Sequence, residues 1–171
     1  TWAGLYRYTM SDLLEVDGKF NSIPTLHMIQ KINGIVTMTG EKLHERQFIS
    51  AVEDASKATG KKLKFYIGFA DIEISAYHFY YEFEDQNITQ AEADEFNKLV
   101  DENLKKVNIE YEAKRASFRV KDPIAHILVE NSFEKFKARC IDEGARDGQF
   151  KLNILLQDEN RHAKFKDLVK K

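Results

Sequence analysis

Apolar residues recur at two spacings along this chain, and each spacing predicts a different kind of element. Over 25–30 and 63–69 they alternate with polar residues, which is typical of a strand with one buried face. Over 48–55 and 96–107 they recur three and four residues apart, as on the buried stripe of an amphipathic helix. The chain is therefore expected to combine strands and helices.

Thr89, with Glu92 three residues later, predicts a capping box at one helix start. After residue 32 the predicted order is strand, helix, strand, strand, helix, strand, helix. This order predicts an α+β fold: a small mixed or antiparallel sheet with helices packed mainly on one face, in a split β-α-β-like arrangement preceded by a β-hairpin. The predicted strands of the body lie at 35–38, 63–69, 78–83 and 124–129, and the predicted helices at 40–60, 89–107, 109–117, 132–140 and 158–170.

Length and composition fit one domain. The chain has 171 residues, of which 43% are hydrophobic and 32% are charged, as in ordinary globular domains. Only two prolines and eight glycines occur, which argues against a long linker. Within this domain we expect residues 1–31 to form a hinge and an edge hairpin, and residues 32–171 to form the α+β body.

Charge and hydropathy argue against several partners. The formal net charge of −2 gives no long-range attraction to nucleic acid or to an anionic membrane. No apolar run approaches the roughly 20 residues of a membrane-spanning helix, so we predict neither nucleic acid nor a membrane as a partner. A stacking surface for bases is conceivable at 65–83, but its acidic residues favour packing on a sheet. Cys140 is the single cysteine, which fits a reducing, cytoplasmic compartment.

Common catalytic and metal-binding motifs are missing from the sequence. Neither a glycine-rich phosphate loop nor a Gly-x-Ser-x-Gly elbow occurs. The histidines lack the paired spacing of metal ligands, so we predict no metal site. His27, His78 and His126 lie in predicted strands and are expected on sheet faces. The five histidines are His27, His44, His78, His126 and His162.

Two residues carry a sharper indication of chemistry. Asp12 comes just before a predicted strand, where its carboxylate can accept two hydroxyl protons, as from a ribose diol. Lys42 lies at the predicted start of a helix, where free backbone amides and the helix dipole favour a phosphate group. From spacing alone, a turn-forming Asp12 and an exposed Lys42 at a helix start are the simpler interpretations.

Five segments, in the same order along the chain, carry distinctive motifs: residues 4–12, 20–24, 41–45, 108–115 and 148–151. Together they resemble the auxin-responsive acyl-acid amido synthetases of the adenylate-forming superfamily. Residues 4–12 have Gly-Leu-Tyr-Arg-Tyr-x-x-x-Asp where plant members have Tyr-Arg-Tyr-Arg-Val-Gly-Asp. Residues 20–24 and 41–45 resemble the family's Phe-x-Asn-Lys-x-Pro and Asp-Lys-x-x-Glu blocks. Residues 108–115 resemble its Asn-x-x-Tyr-x-x-x-Arg stretch, and residues 148–151 its Gly-Gln-x-Lys-x-Pro-Arg segment.

The resemblance implies that residues 1–171 are the mobile C-terminal domain of a longer ligase, inactive alone. In such an enzyme a carboxylic acid attacks the α-phosphate of ATP, with Mg²⁺, and an amine, commonly an amino acid, then takes the acyl group. The small domain rotates between the two half-reactions against the N-terminal domain, which carries most of the ATP site. By resemblance, Asp12 holds the ribose and Lys42 contacts the phosphates as a catalytic residue. Lys31 stands where members often have a nucleotide-binding arginine.

The sequence also departs from the family pattern. Ser11 replaces a glycine before the aspartate, and Lys31 keeps a positive charge without the bidentate fork of arginine. After Lys151 the expected proline and arginine are absent, which leaves its role open. Two alternative functions remain: a stand-alone, non-catalytic interaction module with the same fold, and the corresponding domain of an adenylate-forming enzyme that makes coenzyme A thioesters.

Overall fold

The computed structural model describes residues 12–31, 34–144 and 152–170. It divides into two compact units, one of residues 1–34 and one of residues 35–171. The strands are β1 (Asp12–Phe20), β2 (Ile23–Lys31), β3 (Ile35–Val36), β4 (Leu43–His44), β5 (Leu63–Asp71), β6 (Ala76–Phe83), β7 (Ile124–Ile127) and β8 (Leu155–Leu156). The helices are α1 (Glu45–Thr59), α2 (Gln90–Val107), α3 (Ile109–Ala116), α4 (Ser132–Asp142) and α5 (Glu159–Lys166).

The first unit is an antiparallel hairpin of β1 and β2, as the sequence predicts. Asn21 takes a left-handed conformation, φ 56°, in the turn between the two strands. Leu14 is the ladder partner of Met28, and Val16 is the ladder partner of Leu26. All four apolar residues are exposed. A two-stranded hairpin is at best marginally stable in water, and this one has an uncovered apolar surface.

In the second unit, the described residues form a mixed four-stranded sheet in the order β7-β6-β5-β8. The two central strands form an antiparallel hairpin, while β7 and β8 run parallel to their neighbours. At Gly68 in β5, a Cβ atom would lie 2.9 Å from Leu155 Cδ1 and 3.1 Å from Phe79 Cδ1. Both contacts are to side chains of the buried core, so a methyl group at this position would require Leu155 or Phe79 to shift.

Helices α1, α2 and α3 pack on one face of this sheet. Their apolar stripes meet the odd-numbered residues of β6 in a core that includes Phe48, Phe79 and Phe96. The ring centroids of Phe48 and Phe79 lie 4.5 Å apart. The predicted capping box is present, since Thr89 accepts from the Glu92 amide and Glu92 accepts from the Thr89 amide.

Helices α4 and α5 cover the opposite face of the sheet. Ile67, Phe69 and Tyr80 form a second core there with Phe136 and Phe165. The α+β class, the mixed sheet and the leading hairpin are thus confirmed. The face of the sheet that α1, α2 and α3 cover carries the two longest helices, α1 and α2. The aromatic rings of the central hairpin are used for packing: Phe69, Tyr77, Phe79, Tyr80, Tyr81 and Phe83 are buried.

Two predicted helix boundaries are wrong. The first helix begins at Glu45 and not at Gly40, because Leu43 pairs with Val36 in the short β3–β4 ladder. The last helix ends at Lys166, because the segment after it pairs instead with the end of β7: the Val129 amide donates to the Leu168 carbonyl. In the described part of the chain, no helix is long and apolar enough to cross a membrane.

Candidate functional site

The loop that joins β3 to β4 is organised around the buried carboxylate of Glu41. It accepts hydrogen bonds from the amides of Met38 and Thr39 at 3.0 and 2.9 Å, and from the Tyr77 hydroxyl at 2.8 Å. The Thr39 hydroxyl adds a fourth at 2.9 Å. Burial by itself raises the pKa of Glu41, but these hydrogen bonds outweigh it and hold the pKa below its ordinary value. The carboxylate is therefore a charged anchor for the loop.

Lys42 follows this anchor and is exposed, while Glu41 and Leu43 on either side are 0% exposed. Its backbone amide donates to Glu110 Oε2 at 3.1 Å, and its carbonyl accepts from Asn108 Nδ2 at 2.9 Å. The prediction that Lys42 lies at a helix start is wrong, because α1 begins three residues later with His44 as its N-cap. A tertiary contact, and not the helix dipole, holds this residue.

Further positive groups lie close to the same loop. Gly40 has φ +104°, and a Cβ atom there would lie 3.6 Å from Lys114 Nζ. The pKa of His44 is lowered first by burial and then by the charges of Arg46 and Lys42, against the opposing charge of Glu110. The loop thus has two lysines at or near it, Lys42 and Lys114, together with the Glu110 carboxylate that accepts from the Lys42 amide.

Asp12 and Lys31 occupy the two ends of the hairpin. They are the first residue of β1 and the last of β2, and they face each other as partners in the ladder. The fold therefore joins two residues that are 19 positions apart in the sequence at the open end of one hairpin. The segment 4–11 and the segment 148–151, including Lys151, lie outside the described residues.

Three histidines converge on the second face of the sheet, which spacing did not predict. His78 Nδ1 and His126 Nε2 are 2.8 Å apart, and the Tyr80 hydroxyl is 2.8 Å from His162 Nε2. The rings of His78 and His162 have centroids 4.7 Å apart. The members come from β6, β7 and α5, so their meeting depends on strand order and on where α5 packs.

Burial lowers the pKa of all three histidines, although Asp71, whose Oδ2 lies 3.5 Å from His78 Nε2, opposes this at His78. Burial, followed by the neighbouring histidines and Lys166, lowers the pKa of His126 to about 4. Burial, followed by His78 and Lys166, lowers that of His162 to about 4 as well. Among the described residues, no group of His, Cys, Asp or Glu has an arrangement that could hold a metal ion. The geometry therefore indicates a packed polar cluster inside the fold.

The stretch 108–115, which resembles the family's Asn-x-x-Tyr-x-x-x-Arg pattern, connects helices α2 and α3. Arg115 Nε and Nη2 each donate to Asp101 at 3.0 Å, and the Tyr111 hydroxyl donates to the same carboxylate at 2.7 Å. Asp101 and Tyr111 are buried, and this network joins α2 to α3. Asn108, at the start of the stretch, reaches the loop that carries Lys42. Sequence reasoning noticed the stretch but gave it no role.

Family models match most of the chain in two blocks. Residues 46–160 match the model described as "GH3 family C-terminal domain", and residues 1–31 match "GH3 family central domain". Indole-3-acetic acid-amido synthetase GH3.4 of Arabidopsis thaliana is 29% identical over 160 residues, covering 89% of this chain and 27% of the relative. GH3.3 of the same plant is 28% identical over 159 residues, with the same coverage of both chains.

A solved structure, titled "GH3.15 acyl acid amido synthetase", has the same fold. Its TM-score is 0.81 at 20% sequence identity, and the match covers 100% of this chain and 32% of the other. The chain thus spans about a third or less of the length of the proteins that it matches. The resemblance found in the sequence motifs is confirmed by these comparisons.

Proposed function

The chain belongs to the GH3 family, and from that premise we propose that it is the C-terminal part, including the mobile C-terminal domain, of an ATP-dependent acyl-acid amido synthetase. The relatives that it matches are amido synthetases, and it corresponds to their C-terminal part. The observation that carries the proposal is the presentation of Lys42. It is an exposed residue between the buried Glu41 and Leu43, and its own backbone is hydrogen-bonded to the side chains of Glu110 and Asn108.

The proposed reaction has two steps. A carboxylic acid attacks the α-phosphate of ATP to give an acyl-adenylate and pyrophosphate, and the amine of an amino acid then takes the acyl group and releases AMP. In the first step Lys42 neutralises charge that develops on the phosphates. The Asp12 carboxylate accepts hydrogen bonds from the ribose hydroxyls, and Lys31 supplies a second positive charge. Lys42 is the catalytic residue in this scheme, whereas Asp12 and Lys31 bind the nucleotide.

Mg²⁺ would enter with ATP in the whole enzyme. The described residues hold no group of side chains arranged for a metal ion, so no step of the proposal depends on a metal bound by this part of the chain. When present, the ion would neutralise phosphate charge, which is the role that divalent cations have in such reactions.

The rest of the enzyme is the proposed partner. We propose that residues 1–31 complete the central domain and that residues 35–171 form the C-terminal domain, which rotates between the two half-reactions. Two observations support this division. The two units are each compact, and the apolar residues on the hairpin, such as Val16 and Leu26, are more than half exposed. The remainder of the central domain would cover them.

Exchange of pyrophosphate into ATP, dependent on a carboxylic acid, tests the proposal in the full-length protein. Lys42→Ala should lower kcat/KM for ATP at least 100-fold, since removing one group that stabilises transition-state charge typically costs that much. Asp12→Asn and Lys31→Ala should raise KM for ATP. Lys62→Ala, an exposed lysine just after α1, is the matched control and should leave the exchange unchanged.

Exchange that is unaffected by Lys42→Ala would contradict the catalytic role. A full-length protein without any acid-dependent exchange would favour the interaction-module alternative. If exchange occurs but coenzyme A, and no amino acid, accepts the acyl group, the protein forms thioesters and the amide assignment is wrong.

A further inference from the structure

Both backbone hydrogen-bonding groups of Lys42 are engaged by side chains from the start of α3. The amide donates to Glu110 and the carbonyl accepts from Asn108, residues that are 68 and 66 positions away in the sequence. Lys42 itself is exposed, so these contacts do not serve to bury it. They fix the backbone from which its side chain extends.

Asn108 uses its whole amide group for this purpose. Its Oδ1 accepts from the Tyr111 amide at 2.9 Å, which caps α3, while its Nδ2 donates to the Lys42 carbonyl and to Gln47 Oε1 at 2.9 and 3.0 Å. The side chain is 6% exposed. The cap therefore fixes the orientation of the amide, and the amide in turn fixes the loop.

Gln47 extends the same network into α1. Its Oε1 also accepts from the His44 amide at 3.1 Å, and its Nε2 donates to the Val107 carbonyl at 3.0 Å, at the end of α2. The loop that carries Lys42 is thus tied to three helices. On its other side the buried carboxylate of Glu41 binds the amides of Met38 and Thr39.

We propose that Asn108 and Glu110 are positioning residues, which hold the backbone of Lys42 and thereby set where its ammonium group meets the phosphates. This inference rests on the proposed function of Lys42. Positioned charge is effective in catalysis because little reorganisation is needed when the transition state forms, and a displacement of about 1 Å can cost roughly 100-fold in rate. Removing either hydrogen bond to the Lys42 backbone should therefore lower activity by displacing the Lys42 ammonium group, although neither Asn108 nor Glu110 touches the nucleotide.

Three variants of the full-length protein separate this role from the stability of the fold. Glu110→Ala removes the acceptor for the Lys42 amide, while Glu110→Gln keeps an acceptor and removes the charge. Asn108→Ser keeps a good N-cap for α3 but is too short to reach Lys42. Glu112→Ala, an exposed carboxylate on the same helix, is the matched control.

In acid-dependent ATP–pyrophosphate exchange, Glu110→Ala and Asn108→Ser should each lower kcat about 10-fold or more, with a smaller change in KM for ATP. Glu110→Gln should recover most of the activity, because the hold depends on the acceptor and not on the charge. A Glu110→Gln variant as impaired as Glu110→Ala would overturn the geometric role of Glu110.

A double-mutant cycle with Lys42→Ala decides whether the effect passes through Lys42. On that background, Glu110→Ala and Asn108→Ser should each change kcat/KM less than about twofold. Full additivity would overturn the inference while leaving the role of Lys42 intact. A Lys42→Ala variant with wild-type exchange would overturn both proposals.

Amide hydrogen exchange supplies a readout that needs no activity. The Lys42 amide should exchange faster in Glu110→Ala than in the unsubstituted protein, whereas the amides of α2 should keep their protection. Unchanged exchange at Lys42 would show that Glu110 does not hold its backbone and would overturn the inference. General loss of protection, together with a lower Tm, would assign the variant's effect to the fold and would also count against it.

Discussion

At the scale of single residues, the described part of the fold contains polar groups that are buried but satisfied. Glu41 has four donors around its carboxylate, and Asp101 binds both Tyr111 and Arg115. A buried polar group left without a partner costs on the order of 1–3 kcal/mol if it is neutral, and more if it is charged, as these carboxylates are. The Glu41 network joins positions 36 apart, and the Asp101 network joins the consecutive helices α2 and α3, so they help to specify one arrangement of the loop and helices.

The histidine cluster makes a prediction about acid. Burial first, and then the neighbouring His78 and Lys166, lower the pKa values of His126 and His162 to about 4, whereas an unfolded histidine titrates near 6.5. Protons therefore bind the unfolded chain first, so the histidine contribution is complete above about pH 6.5 and declines as the pH falls toward 4. We expect the free energy of unfolding to fall by on the order of 3 kcal/mol, through the titration of these histidines, as the pH decreases from 6.5 to 4.

Urea unfolding of the chain at several pH values measures this effect. His126→Gln should flatten the dependence between pH 6.5 and 4, since glutamine does not titrate there. His27→Gln provides the control, because His27 is exposed on the hairpin and should leave the slope unchanged. Equal slopes for His126→Gln and the unsubstituted chain would contradict the assignment.

At the scale of elements, the side chains packed between β8 and the sheet leave little room at one position. A Cβ atom at Gly68 would meet Leu155 at 2.9 Å and Phe79 at 3.1 Å, both of which are buried. We expect Gly68→Ala to lower the free energy of unfolding by about 1–3 kcal/mol, the usual cost of overpacking a core. Thermal or urea unfolding of the purified chain measures it.

Leu155→Val tests the cause, because it removes the Cδ1 atom that the new methyl group would meet. The cost of Gly68→Ala should be smaller on the Leu155→Val background than on the unsubstituted one, giving a favourable coupling energy. Strict additivity of the two substitutions would show that the close approach at Leu155 is not what makes glycine necessary.

At the scale of the whole molecule, the two units differ in their means of stability. Residues 35–171 contain a sheet with an apolar core on each face, whereas the hairpin of residues 12–31 has exposed apolar residues and two strands. We expect a fragment of residues 35–171 to fold alone with a cooperative thermal transition. A fragment of residues 1–34 should lack stable strand structure, as isolated hairpins generally do.

Circular dichroism of the two fragments checks this expectation. The larger one should keep the helical signal of the entire chain and a Tm within a few degrees of it. A larger fragment that is unfolded or aggregated would contradict the independence of the second unit, and a stably folded hairpin fragment would contradict the account of the first.

Local pattern by itself determined much of the architecture. The helical stripe of α2 and the Thr89–Glu92 capping box each depend on residues within a few positions of one another, and both are present. The alternation at 63–69 predicted a strand correctly but its single buried face wrongly, because an apolar core lies on each face of the sheet and residues 67–70 are all buried. The periodicity of apolar residues distinguishes strands from helices, because their side chains repeat every 2 and 3.6 residues. It therefore predicted the α+β class and the leading hairpin.

Only the tertiary structure decided what each face meets. The hold on Lys42 joins residues 66 and 68 positions apart, and the contact between Tyr80 and His162 spans 82. No local spacing encodes such contacts, since they follow from strand order and from where each helix packs. For the same reason the sequence singled out Lys42 but placed it in a helix start, while β4, the histidine cluster and the hydrogen bond from Asn108 to the Lys42 carbonyl appeared only in the folded chain.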